Sequence, residues 1–365
     1  MDSRGDFTGG REGIDCPFMA NETLEVSQEA ERLLKALMHV DCDHRGRTWN
    51  YASCLEIAPL TLEINRLKRE KDAVILTHSY VDPEIIYGVG DFKGDSYFLS
   101  QEARRSRARV IVFAGVVFMA ETAKILSPEA TVIVPDRASG CSLADSITGE
   151  GVRRLRALHP DSTVVCYINC SAEVKAESDV CVTSANVYAI VSALPSRRII
   201  FVPDRLMAEN LRQELRRRGV DKEVVSSDGT CIVHDTFTRA QIAEARAQFP
   251  GLKVVSHPEC PEEVAAASDF VGSTGAMMKY VKQTEAPYFL MLTECGLVGR
   301  LEVESPAKRF IGGCRLCPYM KLNSLEKIRD ALRAPRQDQV VTLEESLRVR
   351  AGRCIERMFS LAPSN

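Results

Sequence analysis

The feature that most constrains this chain is an internal repeat with a period near 90 residues. Val164–Asp179 (VVCYINCSAEVKAESD) overlays Val254–Asp269 (VVSHPECPEEVAAASD) 90 residues on, with eight of sixteen positions identical. A fainter copy begins at Val74, where a shift of 89 pairs His78 with Tyr167, Tyr80 with Asn169 and Glu84 with Glu173. A second segment repeats too: Phe113 with Met119, Ala120 and Glu121 returns 88 residues later as Phe201 with Met207, Ala208 and Glu209. Self-similarity at a fixed period means that one supersecondary unit is used several times. The length of 365 residues accommodates three copies and two terminal segments.

Each copy reads as alternating strand and helix. The β-branched runs Val74–Leu76, Val110–Phe113, Thr131–Val134, Thr163–Tyr167, Ile199–Val202, Leu252–Val255 and Tyr288–Leu292 are bounded by Pro, Gly, Asp or Ser, as buried parallel strands are. Between them lie helical stretches such as Met207–Arg218, stopped by Gly219, and Pro261–Ala267, opened by a proline tolerated in a first turn. The expected fold class is α/β, with three pseudo-repeated αβα domains carrying short parallel sheets. The expected division is an extension over 1–59, a first unit over 60–145, a second over 146–232 and a third over 233–317. A helical tail over 318–365, opening at Asn323-Ser324-Leu325-Glu326, is expected to complete the first unit.

Charge excludes some partners. Forty-seven basic and fifty acidic residues leave a net charge of −3, with no block of one sign to follow a phosphate backbone or an anionic bilayer, so neither nucleic acid nor membrane is expected. The longest apolar run, Val110–Ala120, stops at Glu121, short of the roughly 18 residues that a membrane helix needs. The N-terminal segment mixes both charges and lacks an apolar stretch, so no secretion or transit signal is expected and a cytoplasmic address follows. Thirteen cysteines, an odd number, argue in a reducing compartment for free thiols, a few with metal or redox chemistry.

In parallel α/β units the chemistry gathers beyond the carboxyl ends of the strands. There each copy runs into a polar pair spaced i, i+2: His78 and Tyr80, Tyr167 and Asn169, His257 and Glu259. Alternation along an extended chain puts both members of a pair on one side. Each copy then carries hydroxyl-bearing residues, Asp95-Ser96, Thr183-Ser184 and Ser273-Thr274, which suit either an anion site at a helix N-terminus or an ordinary N-cap.

Three cysteines obey the same period. Cys141, Cys231 and Cys317 are spaced by 90 and 86 residues, and each follows a glycine-containing turn. One thiolate per unit could converge on a pseudo-threefold axis, a set that suits a 4Fe-4S cluster with one open iron better than a four-ligand structural zinc; three buried structural cysteines are the competing reading. Cys314 and Cys317 form a C-x-x-C that could be a redox pair, or a cluster ligand beside a spare thiol; zinc is disfavoured because no second C-x-x-C exists. Cys166, Cys181 and Cys354 read as core; Cys16, Cys42 and Cys54 fall in the extension; Cys170, Cys260 and Cys295 border the candidate site. His234, three residues after Cys231, could lie near the cluster, and His39, His44 and His159 read as surface residues.

Several strings taken in order resemble the quinolinate synthase family, iron-sulfur enzymes of NAD biosynthesis. They are His78–Ile85 (HSYVDPEI), Phe118–Pro128 (FMAETAKILSP), Gly140–Asp145 (GCSLAD), Tyr167–Ala176 (YINCSAEVKA), Cys231–His234 (CIVH), His257–Glu259 (HPE), Gly272–Thr274 (GST) and Cys317–Lys321 (CPYMK). The resemblance covers Leu60–Asn323 and implies three αβα domains around a pseudo-threefold axis, with a 4Fe-4S cluster held by Cys141, Cys231 and Cys317. It implies a transferase that condenses iminoaspartate with dihydroxyacetone phosphate and releases water and phosphate, with an L-aspartate oxidase as a possible supplier. The implied substrate-binding residues are His78, Ser96, Tyr167, Asn169, Ser184, His257, Glu259, Ser273 and Thr274, and the acid/base candidates His78, Tyr80, His257 and Glu259.

Two positions depart from the family pattern. His78-Ser79-Tyr80 stands where the family usually has His-Tyr-Tyr, and alternation should point Ser79 away from the site. Where some members carry C-x-x-C-x-x-C, Ile311 occupies the first position, so a redox switch using that cysteine is ruled out. An aconitase-like dehydratase would need similar cluster ligands and hydroxyls, but not the HPE and GST strings together. An iron-sulfur sensor would call for a basic partner surface, which this near-neutral chain lacks.

Overall fold

All seven β-branched runs are strands in the computed structural model, which describes residues 17–41, 46–312 and 315–362, with side chains from residue 23. Cys16, Cys42, His44 and Cys314, and with Cys314 the C-x-x-C reading, lie outside the described residues.

Three sheets, each of four parallel strands, share one order. The first runs β2 (Phe92–Gly94), β1 (Ala73–His78), β3 (Val110–Ala114), β4 (Thr131–Ile133). In the second the order is β6 (Val180–Val182), β5 (Thr163–Tyr167), β7 (Arg198–Val202), β8 (Glu223–Ser226). The third follows suit with β10 (Phe270–Val271), β9 (Lys253–Ser256), β11 (Tyr288–Leu292) and β12 (Arg309–Ile311). The two inner strands of each sheet are the apolar runs, covered on both faces: Val164, Val165 and Cys166 of β5 and Ile199–Val202 of β7 are fully buried.

Local chemistry sets the helix ends. Helix Arg205–Arg217 starts where Asp204 Oδ1 accepts from the Met207 N–H at 3.0 Å, buries Leu206, Met207, Leu211 and Leu215, and gives way to Gly219 at φ +68. Helix Glu262–Ala267 begins after Pro261, one residue later than the sequence suggests, and Ser324 caps Leu325–Arg333 by accepting from Lys327 N–H.

The three units brace one another in a cycle. Helix Val117–Leu126, after β3, reaches the second unit, where Glu121 Oε2 accepts from the Ala172 N–H at 2.9 Å. Helix Arg205–Arg217, after β7, reaches the third, where Asn210 Nδ2 donates to the carbonyls of Pro258 and Cys260, both at 2.8 Å. Helix Gly296–Glu304, after β11, returns to the first, where Arg300 Nη1 donates to Ser79 Oγ at 2.8 Å. Equivalent helices thus pin the loop beyond the neighbouring unit's leading strand, and Ser79 faces away from the centre as alternation requires.

The terminal segments wrap this core. Helices Pro17–Leu37 and Tyr51–Lys71 pack on each other, the second opened by a reciprocal cap between Asn50 and Ser53, with Cys54 buried. The tail serves two units, rather than completing the first alone. Leu325–Arg333 lies on helix Tyr51–Lys71 and β3, whereas Glu345–Leu361 lays Ala351, Cys354, Ile355 and Met358 chiefly on β6 and helix Ala172–Ala176. Among the described residues no helix is long and apolar enough to cross a membrane.

Candidate active site

A cavity of about 720 Å³, open solvent at its mouth included, lies where the three units meet. The polar pairs that end the leading strands all line it: His78 and Tyr80, Tyr167 and Asn169, His257 and Glu259. Of the hydroxyl residues, Ser96, Thr183, Ser184 and Thr274 reach the cavity, and Ser96 and Thr274 each begin a ten-residue helix. Ser273 does not line it. Its Oγ accepts from the Ala276 N–H as an N-cap, as Asp95 Oδ1 does from Phe98 N–H, although Asp95, unlike Ser273, also lines the cavity.

Cys141, Cys231 and Cys317 line the same cavity in one recurring backbone arrangement. The cysteine carbonyl accepts from the N–H four residues on: Asp145 at 3.0 Å, Asp235 at 3.0 Å and Lys321 at 3.1 Å. A short 3-10 turn follows in each case, at Ala144–Ser146, His234–Thr236 and Met320–Leu322. The sulfur of each faces two backbone N–H groups, two and three residues ahead: Leu143 and Ala144, Val233 and His234, Tyr319 and Met320. Two amides aimed at a sulfur form an anion nest suited to a thiolate. Burial nonetheless pushes the thiols up, Cys141 to about 12 and the other two in the same direction, so a bound metal is what would hold them deprotonated. Ser142 ties two of these turns together, donating to Thr230 O at 3.1 Å and accepting from Ile232 N–H at 3.3 Å.

A chain of hydrogen bonds crosses the cavity floor. Tyr167 Oη donates to Glu259 Oε1 at 2.6 Å, and Glu259 Oε2 lies 2.9 Å from His234 Nδ1. His234 Nε2 lies 3.0 Å from Thr293 Oγ1, itself 2.7 Å from Tyr80 Oη. Burial alone would raise the Glu259 carboxyl; His257, His234 and the hydrogen bonds from His234 and Tyr167 hold it below the usual carboxylate range. A carboxylate only accepts, so His234 carries a proton on Nδ1, while the directions of the Nε2–Thr293 and Thr293–Tyr80 bonds follow from its tautomer and charge.

His78 and His257 are equivalents in the first and third units. In each, Nδ1 accepts from the backbone N–H two residues on, Tyr80 at 3.3 Å and Glu259 at 3.4 Å. Burial, aided for His78 by His257 and Arg300 and opposed for His257 by Glu259, lowers both to about 3. Both rings are therefore neutral at pH 7 with the proton on Nε2, a donor for a ligand oxygen.

His234 stands at the centre: its Nδ1 lies 3.2 Å from Cys231 Sγ, and its ring stacks on His257 at 4.7 Å. Ligand atoms of Cys231, His234 and Glu259 lie within 4.8 Å of one another, a donor set compatible with a metal cofactor. Thr293, Glu294 and Lys321 escape the sequence reading. Buried Glu294 accepts from the N–H groups of Cys317 at 3.1 Å and Gly296 at 2.6 Å. Lys321 Nζ meets Glu294 at 3.3 Å, Asp82 at 3.2 Å and Tyr80 O at 2.7 Å, fastening the Cys317 turn to the loop after β1. The period of the leading strands carries no signal for residues after β11.

The family model described as "Quinolinate synthetase A protein" matches residues 62–360. The chain is 45% identical over 310 residues to quinolinate synthase of Caulobacter vibrioides (strain NA1000 / CB15N), covering 84% of this chain and 83% of that protein. It is 48% identical over 295 residues to quinolinate synthase 2 of Mesorhizobium japonicum, covering 81% and 89%. Quinolinate synthase of Xylella fastidiosa (strain Temecula1) is 45% identical over 298 residues, covering 82% and 86%. With three equivalent cysteine turns around one cavity and matches spanning most of its length, the chain belongs to the quinolinate synthetase A family.

Proposed function

We propose that this chain catalyses quinolinate formation for NAD biosynthesis, condensing iminoaspartate with dihydroxyacetone phosphate and releasing water and phosphate. The observation that carries the reading is the threefold recurrence of the cysteine turn around a cavity rimmed by neutral histidines, hydroxyls and the carboxylates of Asp95, Glu259 and Glu294. Cys141, Cys231 and Cys317 would hold a 4Fe-4S cluster, and the donor chemistry fits: three thiols in amide nests, one per unit. Such a cluster, when bound, supplies Lewis acidity at the iron that no cysteine takes.

The protein's own groups do the rest. Two carboxylates and a phosphate need donors, and the Nε2–H groups of His78 and His257, Asn169 and the hydroxyls of Ser96, Ser184 and Thr274 supply them. Ser96 and Thr274 stand at helix N-termini, where backbone N–H groups favour an anion. The Glu259 carboxylate accepts the proton removed from a substrate carbon, steadied by Tyr167. Tyr80 Oη supplies a proton to a departing hydroxyl and is linked to Glu259 through Thr293 and His234. An L-aspartate oxidase would generate the iminoaspartate, and the near-neutral charge is consistent with a cytoplasmic enzyme.

The test is an anaerobic assay on protein reconstituted with iron and sulfide, given dihydroxyacetone phosphate and iminoaspartate generated in place. Quinolinate detected by mass supports the reading; cluster-bearing protein that makes none rejects it.

A further inference from the structure

Away from the cavity, four cysteines gather under the C-terminal helix. Cys166 of β5 and Cys181 of β6 are register partners on adjacent parallel strands, so both face the same way. Helix Glu345–Leu361 packs over β6 and brings Cys354 Sγ to 3.5 Å from Cys166 Sγ, and Cys170 follows just beyond β5. All four are free thiols, and none is more than 1% exposed.

A fifth group gives the cluster its charge. Lys175 is fully buried, and its Nζ donates to Ile168 O at 2.9 Å and to Cys170 O, with the Phe118 ring centroid 5.5 Å away. Neither partner is charged, and an ammonium sealed from water without a counter-ion is costly. A group able to carry the balancing charge is Cys166, whose Sγ lies 3.5 Å from Cys354 Sγ and whose thiolate the side chains of Cys170, Cys181 and Cys354 would favour. Burial alone would raise this thiol, but those three side chains and Lys175 bring it well below the ordinary value.

We propose that Cys166 and Cys354 form a thiol–disulfide pair, with Cys166 the attacking thiolate, Lys175 its counter-cation and a peroxide its oxidant. The Cys166 thiolate attacks one peroxide oxygen, the O–O bond breaks, and the departing hydroxide takes the Cys354 proton and leaves as water. The Cys354 sulfur then attacks the sulfenic sulfur, the S–O bond breaks, and the second hydroxide leaves as water with a solvent proton. Each sulfur gives up one electron, and the two reduce the peroxide. The sulfurs must close from 3.5 Å to about 2.05 Å. The bond would staple the C-terminal helix to β5 one residue before Tyr167, which lines the cavity. Peroxide reaches the pair when that helix opens locally.

Trypsin makes the pair readable, because cleavage after Arg156, Lys175, Arg353 and Arg357 places Cys166 and Cys170 in peptide 157–175 and Cys354 in peptide 354–357. Full-length protein is treated with hydrogen peroxide, capped with N-ethylmaleimide and digested at mildly acidic pH without reductant. The expected result is a 157–175/354–357 cross-link assigned to Cys166 by fragmentation, absent in Cys354→Ser. Its formation should slow at least tenfold in Lys175→Met, where the missing cleavage site makes the cross-link 157–197/354–357 and fragmentation assigns it to Cys166, and recover in Lys175→Arg. No cross-link in the wild type, or one through Cys170, overturns the proposal whether or not the lysine variants fold. An unchanged rate in Lys175→Met overturns the role of the lysine.

Discussion

The Tyr167 hydroxyl donates a 2.6 Å hydrogen bond to Glu259 Oε1, joining the second sheet to the third inside the cavity. Both residues are buried, so the bond has no competing water and neither partner is easily lost alone. Tyr167→Phe is expected to lower kcat for quinolinate about tenfold, and Glu259→Gln by about 10²–10⁴ as a lost base. Because the two act through one bond, the double variant should be little worse than Glu259→Gln. Steady-state kinetics on all three at matched iron content check this, and full additivity would separate the two residues.

Thr293 is the one hydroxyl between Tyr80 and His234. Thr293→Val keeps the shape and breaks both bonds, so kcat should fall about tenfold or more, with iron content unchanged and KM moved less. A variant with wild-type kcat would show that Tyr80 and His234 work without the bridge.

His78 and His257 make folding stability depend on pH. Each is held neutral to about pH 3 in the folded protein against an ordinary value of 6.5, so between those limits the unfolded chain binds more protons. Their contribution is fully present above pH 6.5 and is lost as pH falls toward 3, by about 1.4 kcal/mol per pH unit for each. Denaturant midpoints of the metal-free protein between pH 7 and 5 should fall more steeply for the wild type than for His78→Gln or His257→Gln. Parallel profiles would contradict the buried neutral state.

Gly296 opens the helix after β11 against the backbone of Tyr80. A Cβ there would sit 2.5 Å from Tyr80 O and 2.6 Å from its carbonyl carbon, contacts with main chain that no rotamer change relieves. Gly296→Ala should cost about 1–3 kcal/mol of stability and lower quinolinate output by displacing Tyr80. Denaturation and turnover at matched iron content test both effects, and an unaffected variant would mean that the interface yields freely.

The repeat made much of this legible. Its period marks the leading strands, the polar pairs that end them and the three cysteines, because equivalent backbone positions keep equivalent chemistry. The strands that escaped, Phe92–Gly94, Val180–Val182, Glu223–Ser226, Phe270–Val271 and Arg309–Ile311, are edge strands of two to four residues, too short for an apolar pattern. Ser273 was expected at the cavity because spacing cannot separate the capping hydroxyl from its neighbour. Thr293, Glu294 and Lys321 were missed because their roles come from contacts between units, and the long-range partners Tyr80, Cys317 and Asp82 leave no local signature.

The most direct test of the central claim is the iron and sulfide content of anaerobically reconstituted protein, with Cys141→Ser, Cys231→Ser and Cys317→Ser alongside the wild type and Cys260→Ser. The wild type and Cys260→Ser should each bind about four iron and four sulfide, and each of the other three should lose the cluster and its visible absorption while remaining folded. Retention of a full cluster by any of those three would contradict a site built from one cysteine per unit.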